Sequence, residues 1–223
     1  MNNRLSTWAN NIAPSPTLIV DAKAKKLKAE GKDVCGFGAG EPDFDTPLFI
    51  KEACIKAVES GKTKYIASSG LPELREALAK LYTETKGIKN ISAANITVSP
   101  GGKFSCYLAI KAVVSPGDEV ITTCRTFMAS ASCVAVRGGI PIVADVDADS
   151  QNITAETIEP LITPKTKGII AVHLMGWPCD MDPIMDLAKR RGLWVVEDCA
   201  QAHGAVYKLS LIHISEPTRR RGI

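Results

Sequence analysis

The sequence predicts an α/β fold, a mainly parallel sheet with helices on both faces, and three observations carry that expectation. From Asn95 onward, short apolar runs alternate with amphipathic segments of helical period. The runs are apolar almost throughout, as in strands covered on both sides. The chain has 223 residues, 45% of them hydrophobic and 23% charged, with no repeat of fixed period and no low-complexity linker, which describes one large domain or two small ones with a substantial core.

The elements follow in order. SPTLIVDAKAKKLKAEGKD sets Leu18, Ala22, the stem of Lys25 and Leu27 on one side and predicts a helix stopped at Gly31. VCGFGAGEPDFDTP reads as a short strand running into a turn-rich loop. TPLFIKEACIKAVESG predicts a helix capped by Thr46, with Pro47 at its first position, an apolar face of Ile50, Ala53, Cys54, Ala57 and Val58, and an end at Gly61. GLPELREALAKLYTETKG repeats the logic with Leu71, Leu74, Leu78 and Leu81, ending at Gly87. Beyond it the expected strands are NITVS, DEVITT, IPIVADV, KGIIAVHL and WVVEDCA. The helices between them are GGKFSCYLAIKAVV, TFMASASCVAVRGG, TAETIEPLI and DPIMDLAKRRG.

Composition narrows the function classes. The net charge is +3, of which Glu216, Arg219, Arg220 and Arg221 supply +2, so a nucleic-acid partner has little electrostatic support. Seven cysteines, an odd number without a CxxC pair, read as reduced core thiols of a cytoplasmic protein. Neither a signal peptide nor a run of transmembrane length is expected, hence no membrane partner.

In open parallel sheets, ligands sit beyond the carboxyl ends of the strands. Three features fall there. SPGGK puts Gly101 and Gly102 where a strand gives way to a helix, either as a phosphate cradle or as a tight turn that needs glycine. Phe127 opens the next helix, available to stack on a flat ring or to join the core. VVEDCAQAHGA ends an apolar run in Glu197 and Asp198, and a carboxylate there must meet something positive. For Asp198 that partner is a ligand cation, an arginine, or the turn it would cap. GFGAGEP is no dinucleotide fingerprint, since Glu41 stands where glycine is required, and the Walker pattern is absent. His173 reads as a satisfied strand-end histidine, and no spacing suggests a metal. A phosphate cradle, a stacking ring and a carboxylate facing a cation are together the demands of pyridoxal 5'-phosphate, whose ring nitrogen must stay protonated.

Residues from about 4 to 114 resemble class I aminotransferases of the aspartate aminotransferase type, through GAGEPDFDTP, GKTKY and GLPELREA. The resemblance implies that Gly40 meets the substrate carboxylate, that Gly101, Gly102 and Lys103 form the phosphate turn, and that Tyr65 reaches the cofactor of a neighbouring subunit in a homodimer. From about residue 116 the chain instead resembles the DegT-type aminotransferases, many of which act on nucleotide-linked keto-sugars. That likeness implies that Phe127 stacks on the ring, Asp198 pairs with its nitrogen and Gln201 lies near its phenolic oxygen. Both resemblances imply a fold-type I pyridoxal-phosphate transferase. Its expected parts are an arm and small-domain segment at 1–45 and a partial large domain at 46–208, with most of the small domain missing. The expected substrates are an amino-acid donor and a keto-acid or keto-sugar acceptor. The change of pattern falls at PGDEV, a word shared by both families, and suggests a chimera with its junction near 113–122. LSLIHISEPTR, residues 209–219, matches the translation of a transposase adapter used in sequencing libraries, so 209–223 is expected to be foreign. Both families carry their Schiff-base lysine further beyond the aspartate than Lys208, so no catalytic residue is expected in this chain.

Overall fold

The computed structural model describes residues 4–38, 44–208 and 210–211. It divides into two units, Met1–Lys64 and Tyr65–Ile223.

The first unit holds α1 (Thr7–Asn10), α2 (Pro16–Ala29) and α3 (Leu48–Glu59). Pro16 starts α2 because its missing N–H would have had no helical acceptor, and Gly31, at φ 78°, turns the chain away at its end. The cap expected at Thr46 moves one residue: Pro47 has extended backbone and its carbonyl accepts the amides of Ile50 and Lys51. The short strand expected after Asp33 does not form, since residues 34–37 have no backbone ladder partner among the described residues.

In the second unit, α4 (Pro72–Lys86) ends on Gly87 at φ 65°, whose amide bonds to the carbonyl of Thr83. The strand expected at NITVS is likewise not formed. Ile96 is extended, but its carbonyl accepts Arg75 Nε at 2.8 Å, and the amide of Val98 bonds to Ser69 instead of to a sheet. A single extended segment becomes a strand only when a neighbour completes the ladder.

Downstream the expected alternation holds. The elements are α5 (Gly102–Val113), β1 (Glu119–Thr123), α6 (Ala129–Val136), β2 (Ile140–Ala144), α7 (Ala155–Ile158), β3 (Thr166–Val172), α8 (Met181–Arg191) and β4 (Trp194–Asp198). The strands form one parallel sheet in the order β2-β1-β3-β4. Pro141, which cannot donate to a ladder, sits in edge strand β2. Pro160 ends α7 early, and a 3-10 turn completes the segment read as one helix. Beyond β4, β5 (Val206–Tyr207) pairs antiparallel with β6 (Ser210–Leu211).

Helices cover both faces of the sheet. Ile169 and Ala171 of β3 pack with Ile184 and Leu187 of α8. The intervening Ile170 and Val172 pack with Ile110 of α5 and Val134 of α6. This two-residue alternation sends neighbouring side chains at the strand ends to opposite faces.

Candidate active site

Asp198 is the last residue of β4, and its side chain lies on the α5 and α6 face. Ser130 Oγ donates to Oδ2 at 3.1 Å, and Cys106 Sγ approaches the same oxygen at 3.8 Å. The amide of Ala200 donates to Oδ1 at 3.1 Å. The turn-capping role weighed from the sequence is therefore present, whereas no arginine or lysine among the described residues is paired with this carboxylate.

These contacts join the three features read from the sequence. Cys106 lies one helical turn beyond Gly102, and Ser130 one turn beyond Phe127. Lys103 Nζ sits 4.7 Å from the centroid of the Phe127 ring, closing the triangle. Phe127 is 57% exposed, so it is no core aromatic.

The glycine turn is open. Gly101 holds φ 90°, and a Cβ built on Gly101 or Gly102 would meet nothing within 4 Å. Its carbonyl accepts the amides of Phe104 and Ser105, and Ser99 Oγ lies 2.6 Å from Ser105 Oγ. The amides of Gly102 and Lys103 have no acceptor among the described residues. Two unengaged N–H groups at the start of a helix, with space in front of them, fit an anion such as a phosphate.

Gln201 Oε1 accepts the amide of Met175 at 2.8 Å, supporting a residue at φ 52°, and its Nε2 has no acceptor among the described residues. Tyr65 is fully exposed. Gly40 lies outside the described residues. Lys208 is held elsewhere: its Nζ donates to Asp182 at 2.6 Å at the start of α8 and stacks on Tyr207. The hydrogen bond to Asp182 raises its pKa, the opposite of what a nucleophilic lysine needs.

Glu197 turns to the other face. His173 is fully buried, and its Nε2 lies 3.2 Å from Glu197 Oε2, itself on a side chain only 6% exposed. The amide of Cys179 donates to His173 Nδ1 at 3.1 Å, which puts the ring proton on Nε2 and makes that atom the donor to Glu197. Cys199 joins them, so that one ligand atom from each of His173, Glu197 and Cys199 lies within 4.8 Å of the others. A metal on Nε2 would have to expel the proton fixed there by Cys179, so the geometry is that of a hydrogen-bonded pair. His173 is satisfied, as its place at a strand end implied.

Two thiols near these acids hold their protons. Burial, and next the charge of Asp198, pushes Cys106 up to about 11. Burial, and next Glu197, pushes Cys179 up to about 12. An unperturbed thiol ionises near 9.0. Above that pH the unfolded chain binds fewer protons than the folded one, and stability falls as pH rises. The urea midpoint is expected to drop between pH 8 and pH 10, and to drop less in Cys106→Ala.

The sequence reading missed Cys106, Ser130 and Thr126. Their spacing from Gly102 and Phe127 was the available signal, but only the packing of α5 and α6 against β4 brings them to Asp198.

A parallel sheet with a glycine turn, an exposed ring and a carboxylate at its carboxyl edge defines the large domain of a fold-type I aminotransferase. The chain belongs to the DegT/DnrJ/EryC1/StrS aminotransferase family, which it matches over residues 92–212. It is 38% identical over 207 residues to "Probable aspartate/prephenate aminotransferase" of Aquifex aeolicus, with 89% of this chain and 52% of that protein covered. It is 36% identical over 203 residues to "Probable aspartate aminotransferase" of Streptomyces griseus, with 87% of this chain and 94% of that protein covered. Among solved structures it resembles the aspartate aminotransferase of Thermus thermophilus with maleate. The TM-score there is 0.77 and the identity 32%, over 87% of this chain and 53% of that one. The chain thus spans about half the length of the Aquifex and Thermus relatives. The two likenesses overlap: the DegT match begins at residue 92, and the aspartate-type match to the Aquifex protein extends over 207 residues.

Proposed function

We propose that this chain is the cofactor-binding part of a pyridoxal-phosphate-dependent aminotransferase that moves an amino group from an amino-acid donor to a keto acid such as oxaloacetate or 2-oxoglutarate. The observation that carries this reading is the Asp198 carboxylate, tied to the glycine turn through Cys106 and to Phe127 through Ser130, and met by no cation among the described residues. The residues fit the group. The amides of Gly102 and Lys103 would hold the phosphate, with Gly101 keeping the turn open. Phe127 would cover the ring, and Gln201 Nε2 would donate to its phenolic oxygen. When bound, the cofactor supplies an electron sink for charge developing at the substrate α-carbon. The task of Asp198 is to hold a proton on the ring nitrogen.

The finer readings follow from the same residues. Gly40 is assigned to the substrate carboxylate and Tyr65, fully exposed, to the cofactor of a second subunit in a homodimer. The DegT match supports a keto-sugar acceptor as the second reading. Lys103 lies over Phe127 and Lys208 on Asp182, which supports leaving both lysines out of the bond to the cofactor. A non-catalytic binder of the cofactor or of a nucleotide sugar is the reading of another class. The seven free cysteines support the cytoplasm as its compartment, and no helix among the described residues is long and apolar enough to cross a membrane. A join of two genes near 113–122 and a foreign tail over 209–223 rest on the words PGDEV and LSLIHISEPTR alone, since the aspartate-type match over 207 residues crosses the first and the DegT match to residue 212 enters the second. Amplification across codons 110–125 from source DNA tests the join: an uninterrupted product makes the fusion genuine.

The function is tested with pyridoxamine 5'-phosphate, the amine form of the cofactor, which needs no bond to lysine. Titration is expected to show one saturable site, competed by inorganic phosphate. Absence of saturable binding by the folded chain would overturn the reading.

A further inference from the structure

Ser130 is 1% exposed, and a buried hydroxyl on a helix commonly bonds back to a carbonyl of the preceding turn. Here it donates to Asp198 Oδ2 at 3.1 Å, across 68 residues of sequence. Thr126 Oγ1 lies 3.0 Å behind it. Ser130 has one hydroxyl proton and gives it to the carboxylate, so Thr126 must be the donor in that second contact. The result is a directed chain, Thr126 to Ser130 to Asp198.

A carboxylate offers about four acceptor directions. Ser130 and Cys106 take both on Oδ2, and the amide of Ala200 takes one on Oδ1. The direction left over lies on Oδ1. Among the described residues, the other titratable group facing this carboxylate is Cys133 of α6, while just beyond β3 the backbone amide of His173 bonds to the carbonyl of Asp198.

We propose that Ser130, backed by Thr126, is a positioning residue that fixes the rotation of the Asp198 carboxylate so that Oδ1 faces the ring N–H of the cofactor. The inference rests on the cofactor reading above. It separates Ser130 from a merely structural serine, because its effect passes through the ring nitrogen alone.

The test uses two ligands on the full chain: pyridoxamine 5'-phosphate and its analogue with carbon in place of the ring nitrogen. Ser130→Ala is expected to weaken the first by about tenfold and the second by less than about twofold, the scale of one hydrogen bond to a charged group. Ser130→Thr, which keeps the hydroxyl, restores the affinity, and Thr126→Val costs about threefold on the first ligand only. Should Ser130→Ala not fold, the Thr126→Val comparison decides. Equal losses on both ligands, no loss on either, or failure of Ser130→Thr to restore binding overturns the proposal while leaving the cofactor reading intact. A wild-type chain that binds neither ligand overturns the cofactor reading, and the role of Ser130 with it.

Discussion

Asp198→Asn is expected to weaken pyridoxamine 5'-phosphate binding by about 100-fold while leaving the thermal midpoint close to that of the wild-type chain. The substitution keeps the shape and, with its oxygen turned to Ser130, an acceptor for that hydroxyl; the exposed Ala200 amide loses its side-chain acceptor, a small cost that leaves the packing at the end of β4 in place. What it removes is the negative charge. A protonated ring nitrogen facing a neutral amide loses a charge-assisted hydrogen bond, about 2–3 kcal/mol, which is roughly the 100-fold stated. The amide would also present its NH₂ toward either the ring nitrogen or Ser130, and neither arrangement restores the pairing. Binding of the analogue lacking the ring nitrogen should be unchanged, because it makes no demand on the charge. Equilibrium titration of both ligands at neutral pH measures this. Equal affinity of Asp198→Asn and wild type for pyridoxamine 5'-phosphate would mean that the carboxylate does not face the ring, whatever the family likeness.

That one carboxylate also shows where sequence reasoning reaches and where it stops. An apolar run ending in two acids was enough to place a charge at the carboxyl edge of a parallel sheet, because strand polarity and burial are local properties. The partners were not local. Ser130 and Cys106 lie 68 and 92 residues away, and only the packing of α5 and α6 on the same face as Asp198 brings them in. The pairing of Glu197 with His173 spans 24 residues and depends on the register of β3 against β4, where Ala171 lies opposite Glu197. Two-residue alternation then explains why adjacent acids have unrelated partners. The helices between strands were legible through their apolar faces, and β1 to β4 through near-continuous apolar runs. NITVS looked like those runs and did not become a strand, since an extended segment has no way of announcing that its ladder partner is missing. The move of the α3 cap from Thr46 to Pro47 is of another kind: proline's backbone is already extended, and its carbonyl is free to take the first helical amides.

The largest expected effect on stability lies on the opposite face. His173→Leu should destabilise the fold by about 3 kcal/mol, a sizeable part of the few kcal/mol that hold a domain of this size. Two hydrogen bonds go at once: the Nε2 donor to Glu197 Oε2 and the Nδ1 acceptor of the Cys179 amide. The carboxylate and the amide both sit where water does not easily replace a lost partner, Glu197 at 6% and Cys179 at 0% exposure. Glu197→Gln is expected to cost less, about 1–2 kcal/mol, because the amide oxygen still accepts from Nε2 and no charge remains to be buried. The double replacement by leucines should recover part of the loss of His173→Leu, since an apolar pair avoids desolvating a carboxylate. Urea unfolding of the three variants and the wild type forms a cycle whose coupling term measures the pair. A His173→Leu midpoint equal to that of the wild type, or additive losses in the double variant, would show that the pair contributes nothing and that packing of α8 against the sheet holds the region alone.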